Sequence, residues 1–168
     1  VDCIIFATGF EVGTEYSRRA GYQIHGVDGK TVTQKWQNGL ATFHGMHSRG
    51  FPNAFFFGPA QSGFTATYTY SLDEQSIHLA YILEKIIDKG ATRVEASQEA
   101  EEQWIQTIIE KARLTADFQE NCTPGYYNNE GKINQTPQNN TYGGGPIEFF
   151  SLMKKWRSKD SLEGLEIN

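Results

Sequence analysis

The sequence predicts a small α/β fold, and three observations predict it. Short apolar runs with strand character occur at residues 2–6 and 54–57. Three longer segments carry apolar side chains at helical spacing. Turns containing glycine and proline separate the two kinds of segment. With 168 residues, 38% of them hydrophobic and 21% charged, the chain is long enough for one domain with a core and too apolar to be disordered.

Composition excludes several classes of function. The net charge is -5 and there is no basic run, which argues against nucleic acid and against an anionic membrane surface as partners. No apolar run approaches the roughly 20 residues of a spanning helix, and no basic-then-apolar leader is present, so a cytoplasmic location is expected. Cys3 and Cys122 are too few for a disulfide framework or a zinc site. The glycosylation triplets at Asn121, Asn134 and Asn139 read as chance in a polar stretch. The sequence opens directly on a buried-strand pattern, Asp2-Cys-Ile-Ile-Phe6. Such a strand needs neighbours on both edges, so the chain is expected to be the C-terminal piece of a longer protein.

Each element has a local reason. The run at 2–6 leads into Ala7-Thr8-Gly9, small residues that admit a close backbone or ligand. Residues 14–20 suit one or two helical turns closed by Gly21, and Gly26-Val-Asp-Gly29 is a turn signal. A short strand is expected at 40–43. His44 and His47 have a spacing that suggests a metal, but no carboxylate or cysteine stands nearby, and no metal site is assigned. Gly50-Phe-Pro-Asn53 turns the chain into the strand at 54–57. Gly58-Pro59 breaks that strand, and a loop of small residues leads to a helix with the stripe Leu79, Ile82, Leu83, Ile86 and Ile87. Ser71 and Glu74 form a capping-box pattern, although a start near Phe64 is also compatible; Lys89-Gly90 closes the helix.

Val94 marks a short strand or a linker. Ser97 then caps a second helix with Ala100, Trp104, Ile105, Ile108, Ile109 and Ala112 on one face. Glu99, Glu101 and Glu102 are expected to form a solvated acidic cap. Residues 121–146 are irregular and rich in Asn, Gly and Tyr. Pro146 suits the start of a third helix, with Phe149, Leu152, Met153 and Trp156 on its buried face. The tail after Arg157 is expected to fray.

Residues 51–75 are the candidate site: a strand, a glycine-rich turn and a helix whose first N–H groups attract negative charge. No catalytic constellation accompanies them. There is no Gly-x-Ser-x-Gly, His-Glu-x-x-His, Cys-x-x-Cys or Gly-x-Gly-x-x-Gly, and Tyr142-Gly-Gly-Gly145 lacks the Gly-Lys-Ser/Thr of a phosphate loop.

Several segments in fixed order resemble the Baeyer–Villiger-type flavin-dependent monooxygenases. They are Asp2-Cys-Ile-Ile-Phe-Ala-Thr-Gly-Phe10, Lys35-Trp36, Gly50-Phe-Pro-Asn-Ala-Phe-Phe-Phe-Gly-Pro59, the helix carrying Glu74-Gln75, Glu99-Ala-Glu-Glu-Gln-Trp104, Asn128-Asn-Glu-Gly-Lys132 and Tyr142-Gly-Gly144. The resemblance covers nearly the whole chain. It implies the C-terminal portion of a Rossmann-like FAD-binding domain over residues 1–90, and a helical and loop extension packed on it over 91–168. It implies FAD and NADP as cofactors, with Thr8, Gly9, Gly58, Pro59, Thr67, Tyr68 and Thr69 toward the cofactor. Gln61, Ser62, Gly63 and Phe64 would line the substrate pocket, and Tyr126, Tyr127 and Asn128 would belong to a loop over NADP and substrate. The full protein would use O₂ and a bulky cyclic or steroid ketone. The FAD and NADPH fingerprints and the active-site Asp and Arg would lie in segments outside this sequence, so the chain alone carries no catalytic residue and is expected to be inactive. An N- or S-oxygenating flavin monooxygenase and a catalytically silent interaction module are the alternatives.

Overall fold

The computed structural model describes residues 2–6, 20–112 and 136–168. The labelled elements, in chain order, are α1 (Val32–Lys35), α2 (Tyr68–Asp88), β1 (Val94–Ala96), α3 (Gln98–Lys111), α4 (Gly145–Ser158) and β2 (Leu165–Ile167). Strands β1 and β2 pair antiparallel, with Val94 opposite Ile167 and Ala96 opposite Leu165.

Local chemistry accounts for the helix boundaries. Thr31 and Gln34 form a reciprocal capping box at α1: Gln34 N–H donates to Thr31 Oγ1 (3.1 Å) and Thr31 N–H donates to Gln34 Oε1 (2.9 Å). The backbone N–H of Ala100 donates to Ser97 Oγ, capping α3 as expected. Pro146 stands in the first turn of α4. Helix α2 ends at Lys89 followed by Gly90, whose φ of +64° is the left-handed conformation that terminates helices. Its start differs from the capping-box expectation. The helix begins at Tyr68 behind Thr67, and Ser71 lies inside its first turns, where Ser71 Oγ accepts from Thr65 N–H (3.2 Å).

The three long helices and the antiparallel pair of β1 and β2 share one core. Ile82 and Ile86 of α2, Trp104 and Ile108 of α3, and Phe149, Met153 and Trp156 of α4 meet there with Val94, Ala96, Tyr142 and Leu162. This cluster crosses the expected division at residue 90. A second, smaller cluster gathers Val32, Phe51 and Phe56 beneath the residues leading to α2.

Four further sequence expectations are corrected. Residues 2–6 and 54–57 are not strands. A ladder needs a partner, and no described segment lies beside residues 2–6, where Ile5 and Phe6 are each 83% exposed. Phe56 is buried and donates its N–H to Met46 O (2.9 Å), but no ladder extends from that bond. The strand expected at 40–43 is reduced to a single bridge between Phe43 and His47. The tail, in contrast, does not fray. Leu162 is buried, Trp156 Nε1–H donates to Glu163 O (2.8 Å), and β2 closes on β1. Leu162 closes the core beneath the tail. Leu162→Ala is therefore expected to cost about 2–5 kcal/mol, the usual range for emptying a buried leucine site. Denaturant unfolding of the two chains measures it.

Candidate functional site

The candidate site is built on the turn between Phe56 and α2. Phe56 is buried, whereas Phe57 and Pro59 face outward. The chain then dives inward. Gln61 has a left-handed φ of +55°, unusual without glycine, and is fully buried. Its Nε2 donates to Leu40 O and Gln138 O, both at 2.8 Å, and its Oε1 accepts from Thr42 Oγ1. Its backbone N–H donates to Asn140 O (2.8 Å) and its carbonyl accepts from Trp104 Nε1 (3.1 Å). Ser62 is also buried; its hydroxyl donates to Gly58 O (2.5 Å), and its carbonyl accepts from Tyr142 N–H (3.0 Å). The backbone of Gly63 lies so close to Phe149 that a Cβ there would sit 2.8 Å from the ring.

Of the four residues expected to line a pocket, Gln61, Ser62 and Gly63 thus face into the protein, and Phe64 faces outward. Thr67, Tyr68 and Thr69 are exposed at the start of α2. The side chain of Thr67 does not cap this helix; Tyr70 N–H donates to Thr67 O (3.0 Å), and among the described residues the N–H groups of Tyr68 and Thr69 have no hydrogen-bond partner. The rings of Phe64 and Tyr68, with centroids 6.0 Å apart, flank the opening. An open 21-residue helix start beside exposed aromatic rings can hold a flat, electron-rich group, with N–H donors toward its negative edge. Thr8, Gly9, Tyr126, Tyr127 and Asn128 lie outside the described residues, as does the expected helix at 14–20.

Sequence reasoning missed the carboxylates that hold the approach to this turn. Glu99 and Glu102 are exposed, but Glu101 is buried and is not part of a solvated cap. It accepts from Lys35 Nζ (2.6 Å), Arg49 N–H (2.7 Å) and Ser48 Oγ (3.3 Å). Glu95, also buried, accepts from Gly50 N–H (2.9 Å) and Arg93 (2.7 Å). Burial alone would raise the Glu95 pKa; the Gly50 N–H and the guanidinium groups of Arg93 and Arg49 outweigh it and hold the carboxyl below its ordinary range. The Ser48–Gly50 backbone is therefore clamped by two side chains from β1 and α3. The one sequence signal was Glu101 itself, which stands three residues before Trp104 on the buried face of its helix.

Three of the four histidines, His44, His47 and His78, form a buried cluster. His44 stacks on Phe43 (3.7 Å), packs edge-on against Trp104 (5.0 Å), and lies 5.5 Å from His78 of α2. Among the described residues no group of three His, Cys, Asp or Glu is placed to hold a metal. Burial lowers all three pKa values: His47 to about 4, His78 to about 3 with the nearby His47 and Arg157 adding to it, and His44 well below its ordinary value. These imidazoles are neutral in the fold, while the unfolded chain protonates near pH 6.5. Their contribution to stability is complete above that pH. Below it, stability falls by up to about 1.4 kcal/mol per pH unit for each group, down to the folded pKa. Unfolding measured between pH 7.5 and 4 is expected to show this slope, and His47→Gln is expected to flatten it.

The class of protein follows from the whole fold. No family model matches the chain. The polycyclic ketone monooxygenase of Thermothelomyces thermophila superposes with a TM-score of 0.85 at 33% identity, covering 91% of this chain and 25% of that one. The fold is thus that of a segment of a ketone monooxygenase. Neopentalenolactone D synthase of Streptomyces avermitilis is 45% identical over 99% of this chain and 29% of its own length. Baeyer-Villiger monooxygenase ATR8 of Stachybotrys chlorohalonatus is 38% identical over 100% of this chain and 27% of its own. Along nearly its whole length the chain is similar to the C-terminal part of Baeyer–Villiger-type, FAD-binding monooxygenases, and it spans less than a third of the length of these relatives.

Proposed function

We propose that this chain is the C-terminal part of an FAD- and NADPH-dependent monooxygenase that, as the whole protein, inserts one oxygen atom next to a ketone carbonyl. The observation that carries the proposal is the 45% identity with neopentalenolactone D synthase along essentially the whole chain. The open start of α2 supports it locally. Residues 1–90 are read as the end of a Rossmann-like FAD-binding domain, and 91–168 as an extension packed on it through the shared core.

FAD supplies the oxygen-transfer chemistry when bound, and NADPH the electrons. The overall balance is ketone, O₂, NADPH and a proton giving ester, NADP⁺ and water. This chain's residues bind and position. The first N–H groups of α2, at Tyr68 and Thr69, are donors aimed out of the helix at an electron-rich edge. Gly58 and Pro59 form the adjoining turn, and Thr67 precedes the helix. Thr8 and Gly9 are assigned to the same cofactor. Phe57 and Phe64 exclude water on the exposed side. Phe64 contacts substrate, while Gln61, Ser62 and Gly63 set the path of the loop that presents it. Tyr126, Tyr127 and Asn128 belong to the segment that closes over NADP and substrate. The name of the structural relative points to a polycyclic ketone as the substrate class.

The full-length protein is expected to show flavin absorbance and ketone-dependent NADPH oxidation with an ester product; a sulfoxide or hydroxylamine product instead would move it to another class. The 168-residue chain alone is expected to purify colourless, and a stoichiometric, tightly held flavin would contradict that. Thr69→Asp puts a negative charge in the first turn of α2. It is expected to leave the fold as stable or slightly more so and to weaken FAD binding by about five- to tenfold, from repulsion of about 1 kcal/mol at the helix start. Thermal melting and flavin titration separate the two effects.

A further inference from the structure

The buried face of α2 changes character along its length. Ile82 and Ile86 are apolar, but Ser71, Gln75 and His78 are polar and equally buried. Ser71 and Gln75 lie one turn apart and reach the two ends of the same loop. Gln75 Nε2 donates to Gly58 O (2.9 Å) and to Ser62 Oγ (3.0 Å), and Ser62 Oγ donates to the same Gly58 carbonyl (2.5 Å). This closes a ring of three hydrogen bonds in which every proton has one destination. Ser71 Oγ accepts from Thr65 N–H (3.2 Å) at the other end. Gln75 is 2% exposed and among the described residues its Oε1 has no partner, so within them the side chain is held in place by its donors alone.

We propose that Ser71 and Gln75 are positioning residues: together they clamp the loop from Gly58 to Thr65 onto α2 and so fix the flavin-facing turn relative to the open helix start. The inference rests on the flavin reading above. Neither residue is among those assigned to the cofactor. Each acts through a backbone group of the loop, Gly58 O or Thr65 N–H. Replacing the amide of Gln75 by an apolar group removes one of the two donors to the Gly58 carbonyl and the donor that orients Ser62 Oγ, so that Ser62 Oγ alone is left to hold that carbonyl.

The test uses the full-length protein with two single variants, Gln75→Met, which keeps the volume and removes both donors, and Ser71→Ala. Ser76→Ala, on the exposed side of α2, is the control. FAD dissociation constants, the visible flavin spectrum and the melting temperature of the FAD-free protein are measured for each. The clamp predicts a tenfold or greater loss of FAD affinity and a shifted flavin spectrum in Gln75→Met, and the same changes to a smaller extent in Ser71→Ala. A melting temperature that falls while affinity and spectrum stay within twofold of the parent shows a merely structural role and overturns the inference, leaving the flavin reading intact. A parent protein that takes up no FAD overturns the flavin reading and the inference with it. If Gln75→Met does not fold, Ser71→Ala decides by the same criteria.

Discussion

Gln61 is the tie on which the arrangement depends. A single side chain and its backbone bond to Leu40, Thr42, Trp104, Gln138 and Asn140, joining the segment before α2 to α3 and to the segment before α4. These segments are far apart in sequence and mostly irregular, so no helix or sheet ladder holds them. Backbone carbonyls such as Leu40 O and Gln138 O still need donors; Gln61 Nε2 reaches both, and Gln138 Nε2 adds a second donor to Leu40 O (2.8 Å). The cost is a left-handed backbone at a residue other than glycine, sustained because every polar atom of that residue is used.

Around this tie the protein uses buried polar groups where a larger sheet would use ladder hydrogen bonds. Glu101 and Glu95 hold the Ser48–Gly50 backbone, and Ser71 and Gln75 hold the two ends of the loop before α2. The apolar half of α2, with Trp104, Phe149 and Trp156, supplies the hydrophobic core on the other side. Irregular segments are thereby given fixed positions, and the start of α2 is left open at the surface. That combination suits a chain that contributes one wall of a site: rigid behind, with free N–H groups in front.

Much of the helical framework was legible in the sequence because its causes are local. The stripes of α3 and α4, Ile82 and Ile86 of α2, the Ser97 cap, Pro146 and Gly90 all act within a turn or two of their own position, whereas Leu83 and Ile87, expected on the same face of α2, are 38% and 74% exposed. The break in the chain at Gly58-Pro59 ahead of α2 was legible for the same reason. The capping box at Ser71 was misread because Ser71 caps nothing; its hydroxyl is used by Thr65 from the preceding loop. The carboxylate of Glu101 was misread because its partners Lys35, Ser48 and Arg49 are more than 50 residues away.

By itself the sequence determined which stretches form the three long helices and where Ser97, Pro146 and Gly90 bound them, since propensity, capping and periodicity are encoded over a few residues. It also carried the family resemblance, which comparison with relatives bears out. Tertiary structure alone decided whether an apolar run becomes a strand. Residues 94–96 do so because the returning tail supplies a partner, and residues 2–6, with the same strand character, do not because none of the described residues does. It also decided that Gln61 and Ser62 turn inward while Phe64 turns out. A side chain's direction there is set by which distant carbonyls need a donor, and no local pattern records that.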